Sequence, residues 1–303
     1  MRNWGKFLFI VIAGWMASVA FWFEPQSLTL TVLDVQAPAW PNSTAPLRVA
    51  LLSDIHTDPI HMTPARVRDI VRRVNALHPD IVLLAGDYVG GDWLTGHHKR
   101  QEDARSPADN QKLEAGLNAL SGFKAPLGAY AVLGNHDCWW NCSHVAALLS
   151  ANGIHVLDNQ AAKVDRPGGA VWIIGMADNI TQTPDYATAL RGVPDDAATL
   201  TLIHEPDPFA YAPAPAGNLQ LSGHTHAGQV RLPLIGAPVR NSRYQERTAK
   251  GWLVEDNRIL VVTRGLGESG IPVRFNAPPQ IMLLTIHPGP QARVIAQPDV
   301  WLP

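Results

Sequence analysis

Five apolar stretches of this 303-residue chain end in residue types that bind metal ions or move protons. "LRVALLSDIH" delivers Asp54 and His56, "DIVLLAGD" ends at Asp87, and "GAYAVLGNHD" ends in Asn135, His136 and Asp137. "ATLTLIHEPD" presents His204, and "LQLSGHTH" supplies His224 and His226. Carboxylate, imidazole and amide oxygen together suit divalent ions of intermediate hardness, such as manganese, iron or zinc, whereas magnesium and calcium prefer oxygen alone. A single histidine means little, because most are satisfied core or surface groups. Ligand types at five successive strand ends form a pattern.

The elements that must position these groups follow from the spacing. Between the first two runs, "TPARVRDIVRRVNALHP" has a cap residue at Thr63 and proline at the first helical position; apolar residues 67, 70, 71, 74 and 77 recur with helical period, and Pro79 ends the helix. A strand, helix, strand unit results. Its sheet is expected to be parallel there, and in open α/β sheets ligands collect just beyond the carboxyl ends of strands. Asp54 and His56, two residues apart, project from the same side if the chain stays extended. An earlier strand, "LTLTVLDVQ", precedes a linker at residues 37–46 that is rich in Pro and Ser. A helix is expected near residues 144–150, and "AVWIIGMAD" reads as a further strand. The chain thus divides into residues 1–25 (membrane segment), 26–46 (first strand and linker) and 47–303 (catalytic domain).

The blocks "LSDIH", "LAGD", "LGNHD", "LIHEPD" and "SGHTHAG", in order and at fitting spacing over residues 48–287, resemble those of the calcineurin-like metallophosphoesterases. "SGHTHAGQVRLPLIGAP" and "TRGLGESGIPVRFNAPPQI" further resemble a branch of bacterial membrane-linked phosphodiesterases. Relatives in lipid A synthesis hydrolyse UDP-2,3-diacylglucosamine. The resemblance implies an α/β (α+β) fold in which two mixed β-sheets pack as a sandwich flanked by helices, in four layers. It also implies that Asp54, His56 and His226 hold one metal, that Asn135, His204 and His224 hold a second, and that Asp87 bridges them. His136 then stabilises a phosphoryl oxygen or protonates the leaving group, with Asp137 orienting it. Metal-activated water is the expected nucleophile. Ser53 and Thr225 are read as packing residues. The leading reading is a hydrolase of phosphodiesters or related phosphate esters, on envelope or lipid-linked substrates. Two alternatives stand beside it: a UDP-2,3-diacylglucosamine pyrophosphate hydrolase, and a metal-binding scaffold without turnover.

Other features bear on partners and compartment. Twenty-four basic against 26 acidic residues leave a formal net charge of -2, so no general attraction to nucleic acid is expected. Residues 7–23, "FLFIVIAGWMASVAFWF", form an uncharged apolar run after Arg2 and Lys6 and before Glu24 and Pro25. Such a run suits lipid, either as an anchor or as a signal segment with Ser18 and Ala20 placed for cleavage. The aromatic Phe21, Trp22 and Phe23 favour the uncleaved anchor. The positive flank is N-terminal, so the catalytic domain is expected on the extracytoplasmic side of a bacterial inner membrane.

Arg264 is a candidate for substrate phosphate, and Arg274 a weaker one, since a guanidinium can bind two oxygens. His97 and His98 sit in a polar insert at residues 93–111 that reads as a solvated loop, and His61, His78, His144, His155 and His287 are given no role. Cys138 and Cys142 lack the spacing of a redox or zinc motif. They would bridge if Cys138 lay in a loop before a helix capped by Asn141 or Ser143.

Overall fold

A computed structural model describes residues 2–38, 40–58, 60–90 and 107–302, so His97 and His98 lie outside the described residues. The N-terminal helix α1 (Arg2–Ser18) runs through a π-turn (Val19–Phe23) into the single turn α2 (Glu24–Gln26). Next come β1 (Leu28–Ala37), β2 (Leu47–Leu52), α3 (Pro64–Ala76), β3 (Ile81–Ala85), α4 (Pro107–Asn118), β4 (Ala129–Val132), α5 (Asn135–Ala151) and β5 (Ile154–Val156). The second half adds β6 (Gln160–Val164), β7 (Val171–Gly175), α6 (Tyr186–Ala189), β8 (Ala198–Leu202) and β9 (Leu219–Ser222). The chain ends with β10 (Trp252–Glu255), β11 (Arg258–Val262), β12 (Gln280–Pro288), β13 (Arg293–Ala296) and β14 (Val300–Leu302).

Two mixed sheets result. One has the order β13-β1-β12-β2-β3-β4-β5 with β14 also on β1; the other runs β10-β11-β9-β8-β7-β6. Strands β2 to β5 are mutually parallel, as are β7, β8, β9 and β11, which gives both sheets a common run of carboxyl ends. Side chains alternate across each strand. Val49, Leu51, Leu83 and Leu284 from the first sheet meet Ile173, Leu200, Leu221 and Val261 from the second in a shared core. The opposite face of the first sheet, through Ala50, Leu52, Val82 and Leu84, packs on α3, α4 and α5. Ile174, Ile203 and Ala189 cover the outer face of the second sheet. This is the expected sandwich with helical flanks.

Local chemistry explains the helix after β2. The Thr63 hydroxyl accepts from the Arg66 amide, Pro64 opens the helix, and Val67, Ile70, Val71 and Val74 are buried. One expectation needs revision. The end of the polar insert, from Pro107, is already helical as the start of α4. The linker is also held, because Trp40 is buried and its indole donates to the Thr199 carbonyl at 3.1 Å.

Candidate metal centre and active site

Every ligand-type residue follows the carboxyl end of a strand: Asp54 and His56 after β2, Asp87 after β3, Asn135 after β4, His204 after β8, His224 and His226 after β9. The chain does not stay extended there. Asp54, His56, Asp87, His224 and His226 have φ of 51°, 43°, 57°, 67° and 49°, all in the left-handed region. Asp and His tolerate that region better than branched residues, yet each costs about 1–3 kcal/mol where the surroundings impose it. The sharp bends turn the side chains inward. The site is also tightly packed at its floor: a Cβ on Gly86, itself at φ 88°, would sit 2.8 Å from both the Gly134 nitrogen and His204 Nδ1.

The bends bring the side chains into overlapping groups. Asp87 Oδ2 lies 3.5 Å from His56 Nε2 and 3.2 Å from His204 Nε2. Asp54 Oδ1 lies 3.3 Å from His226 Nε2, which is 3.2 Å from His56 Nε2. His224 Nδ1 is 3.3 Å from His204 Nε2. Within 4.8 Å of one another lie donor atoms of Asp54, His56 and His226, of His56, Asp87 and His136, and of Asp87, His204 and His224. Asp87 belongs to two of these groups. His56 Nδ1 meets the Val89 carbonyl at 3.1 Å and His204 Nδ1 meets the Ala85 carbonyl at 2.7 Å. A carbonyl only accepts, so both Nδ1 atoms carry a proton and both Nε2 atoms are left to face the centre.

The donor set fits divalent metal on an observation independent of spacing. Asn135 Oδ1 is buried and has no hydrogen-bond partner, an arrangement that is costly without a cation. Burial lowers His56 to about 3 and His224 to about 4, so both rings are neutral at physiological pH and free to offer a lone pair. Burial would raise Asp54 and Asp87, but His226 beside the first and His204 beside the second hold both below the ordinary carboxylate range. His204 is raised despite burial, chiefly by Asp87.

Asp137 needs a correction. Its carboxylate does not hold the His136 ring; it accepts the amides of Asp87, Gly134, Tyr88 and Val89 at 2.9, 2.9, 2.8 and 3.1 Å. It therefore fixes the loop that carries Asp87. Burial and then the Asp87 charge raise it to about 7, against the pull of the Gly134, Val89 and Tyr88 amides. The His136 amide donates to Asp87 Oδ1 at 2.9 Å, while its ring nitrogen Nε2 lies 3.3 Å from the Ser269 hydroxyl. The His136 ring stands 4.7 Å from that of His56 and 4.8 Å from that of Trp139.

A cavity of about 420 Å³ opens over the centre, lined by Asp87, Asn135, His136, His224 and His226 together with Trp139, Ile180, Asn241, Ser269 and Gly270. Sequence reasoning missed these last five. Their signal was weak, since none stands in a strand-end block, although Ser269 and Gly270 lie in the glycine-rich stretch around Arg264. Arg264 is not brought to the cavity. Its guanidinium donates to Thr29 Oγ1 at 3.0 Å and pairs with Asp299 at 2.6 Å. Arg274 is fully buried and braces the same loop through the carbonyls of Ala277, Gly267 and Arg264.

Cys138 and Cys142 form a disulfide with a Cα separation of 4.2 Å. Cys138 lies in the first turn of α5 rather than in a preceding loop. The helix breaks instead at Asn141 (φ -170°, ψ 98°), whose side chain accepts from the His144 amide at 3.0 Å and caps the second part of α5. That break lets a C-x-x-x-C pair close, which a regular helix would not.

Residues 47–228 match the family model "Calcineurin-like phosphoesterase". The chain belongs to this family. Among its relatives is the zebrafish (Danio rerio) "Transmembrane protein with metallophosphoesterase domain", 31% identical over 80% of this chain; the chain spans only 54% of that protein's length. "Phosphodiesterase YaeI" of Escherichia coli is 28% identical, with 81% of this chain and 84% of that protein aligned. "UDP-2,3-diacylglucosamine pyrophosphatase LpxG" of Chlamydia muridarum is 25% identical, over 86% and 90% respectively. The chain is thus a metallophosphoesterase-family hydrolase. Its helical segment Lys6–Gln26 is long and apolar enough to cross a membrane, which fits membrane association.

Proposed function

We propose that this metallophosphoesterase hydrolyses phosphodiester or related phosphate ester bonds with two divalent ions, manganese, iron or zinc. Asp54, His56 and His226 would hold one, Asn135, His204 and His224 the other, and Asp87 both. The carrying observation is Asp87, whose carboxylate lies within 4.8 Å of the donor atoms of His56 on one side and of His204 and His224 on the other, while Asn135 Oδ1 stands buried and unpartnered in the lining of the same cavity. When bound, such ions supply Lewis acidity to a phosphoryl oxygen and lower the pKa of water for in-line attack. The chain's own residues do the rest.

Burial lowers the pKa of His136 despite Asp87 nearby, which favours the neutral imidazole. A neutral ring facing the cavity is suited to donate a hydrogen bond to a phosphoryl oxygen rather than to surrender a proton. Ser269 fixes the ring from one side and Trp139 from another. Asp137 positions Asp87 through its backbone, and Trp139 and Ile180 offer apolar surface to the non-phosphate part of a substrate. Arg264, held by Asp299, contributes to the loop rather than to phosphate binding in this reading.

The substrates are read as envelope or lipid-linked, with α1 as an anchor in a bacterial inner membrane and the catalytic domain outside the cytoplasm. The Cys138–Cys142 bridge supports that side, because disulfides persist in oxidising compartments. Likeness to LpxG keeps a second reading, cleavage of UDP-2,3-diacylglucosamine, whose substrate arises on the cytoplasmic face; orientation discriminates the two. The intact donor set speaks against a scaffold without turnover. Purified protein with manganese and bis-p-nitrophenyl phosphate tests the reaction class. Release of nitrophenol above a buffer control is expected, and none would leave the scaffold.

A further inference from the structure

We propose that the domain rests on the bilayer by the face around α1, with the hairpin tip Leu234–Ile235 inserted beside the anchor, so that the catalytic cavity opens at the lipid surface. This rests on the reading of α1 as a membrane anchor. The occupant of the apolar face is the membrane itself, and the substrate class it selects is a phosphate ester carried at that surface.

The anchor meets the domain through backbone bonds. Past the α-helical part, the Glu24 amide bonds back to the Val19 carbonyl in the π register. In that register the Ala20 carbonyl would need the amide of residue 25, which is proline and has none. The Arg274 amide takes that place at 2.8 Å. Ala20 lies three residues before the end of the apolar run, about 4.5 Å along a helix. The segment carrying Arg274 is therefore level with the last turn of the membrane-crossing stretch. Glu24 is clamped in the same region, accepting the amides of Asn276 and Ala277 at 3.0 and 2.6 Å. The Phe21 ring meets the His61 ring edge-on at 5.5 Å.

Three loops leave this junction with bare apolar side chains. Ile271, 46% exposed, is three residues before Arg274. Ile60, 39% exposed, precedes His61. Asn276, bound to Glu24, donates through its side chain to the Arg231 carbonyl at 3.0 Å, and the next residues form a tight hairpin closed between Leu232 and Gly236. At its tip Leu234 is wholly exposed and Ile235 is 67% exposed. Two adjacent bare aliphatic side chains on a clasped hairpin, two hydrogen bonds from a membrane-length helix, fit the headgroup and acyl boundary, where such groups bury about 5–10 Å deep.

The cavity shares this face. The loop that ends on Ala20 through Arg274 begins on the catalytic rim, where Ser269 and Gly270 line the cavity and Ser269 touches His136. Ile271 is the next residue. A substrate head held in the surface thus has a short path to the centre, whereas a water-soluble ester gains nothing from the docking.

The test uses the full chain, native disulfide intact, in vesicles of phosphatidylethanolamine and phosphatidylglycerol. A fluorophore is placed on single variants Leu234→Cys and, within the helix, Ala13→Cys. A third goes on Val254→Cys, an exposed position on the β10–β11 hairpin at the far end of those strands. Quenching by nitroxide on the lipid chains is read at each. The expected result is quenching at Leu234 at least about threefold that at Val254, alongside strong quenching at Ala13. Strong quenching at Ala13 with Leu234 equal to Val254 would overturn the docking but keep the anchor. No quenching at Ala13 would overturn the anchor and the docking together, while leaving the hydrolase reading, judged on a soluble ester, untouched. A Leu234 label quenched only by a second labelled chain would assign the face to self-association and also overturn the docking.

Discussion

Asp87 and His136 are the two residues whose roles separate most cleanly. Asp87→Ala is expected to lower bound metal and turnover together, because it removes a carboxylate shared by two donor groups. His136→Ala should keep its metal and lose about 100- to 10,000-fold in kcat. Metal analysis beside kcat on bis-p-nitrophenyl phosphate checks both. Glu205 gives a pH signature. Burial, with the Asp178 carboxyl nearby, raises it from 4.5 to about 9, so the folded chain holds a proton that the unfolded chain releases. Its stabilisation is complete below about pH 4.5 and is lost as pH rises toward 9. Glu205→Gln should flatten that fall, as tracked by thermal midpoints across the range in wild type and variant. At this scale the seven ligand types were legible, since hydrophobic runs mark strand ends and carboxyl ends share a rim. The partners of those residues were not. Asp137 answers to backbone amides from another loop, Arg264 to an aspartate 35 positions away, and Ser269 reaches His136 across 133.

The loops after β3 and β4 behave as one unit, joined by Asp137. Asp137→Asn replaces one carboxylate oxygen by an amino group facing two amide donors. The expected loss is about 2–4 kcal/mol, read as a lowered denaturation midpoint together with weaker metal retention. The first turn of α5 is tied to the remainder of that helix by the Cys138–Cys142 bridge, so thiol titration of the denatured, unreduced chain should find none. Finding two would remove the bridge and its support for an oxidising compartment. Periodicity and caps made α3 legible, and alternation or continuous apolar runs marked β2, β3, β4, β8 and β9. Asn141 was legible as a cap of the helix that follows it, but it was not legible that residues 135–140 are already helical, so that the cap falls inside α5 as a break. Nor were the five left-handed bends, because Asp and His carry no mark of a positive φ.

For the whole molecule, orientation decides which substrates are within reach. Alkaline phosphatase fused to the C-terminus should be active in cells if the domain lies outside the cytoplasm, and an inactive fusion would move the enzyme to the face where nucleotide-linked lipids are made. Sandwich, helical flanks and a shared rim were foreseeable. The pairing of the N-terminal strand with C-terminal ones was not, because no local pattern records a partner some 250 residues away. That pairing has a temporal consequence. β1 emerges two residues after the anchor segment, yet its neighbours are residues 280–288, 293–296 and 300–302. During synthesis it must wait, both edges open, until nearly every other strand has been made. Such distant closure is slow and leaves an exposed edge prone to wrong pairing. The first sheet is sealed last, so the rate at which the C-terminal strands are delivered, rather than the strength of any single contact, would set how much of the chain reaches the native state.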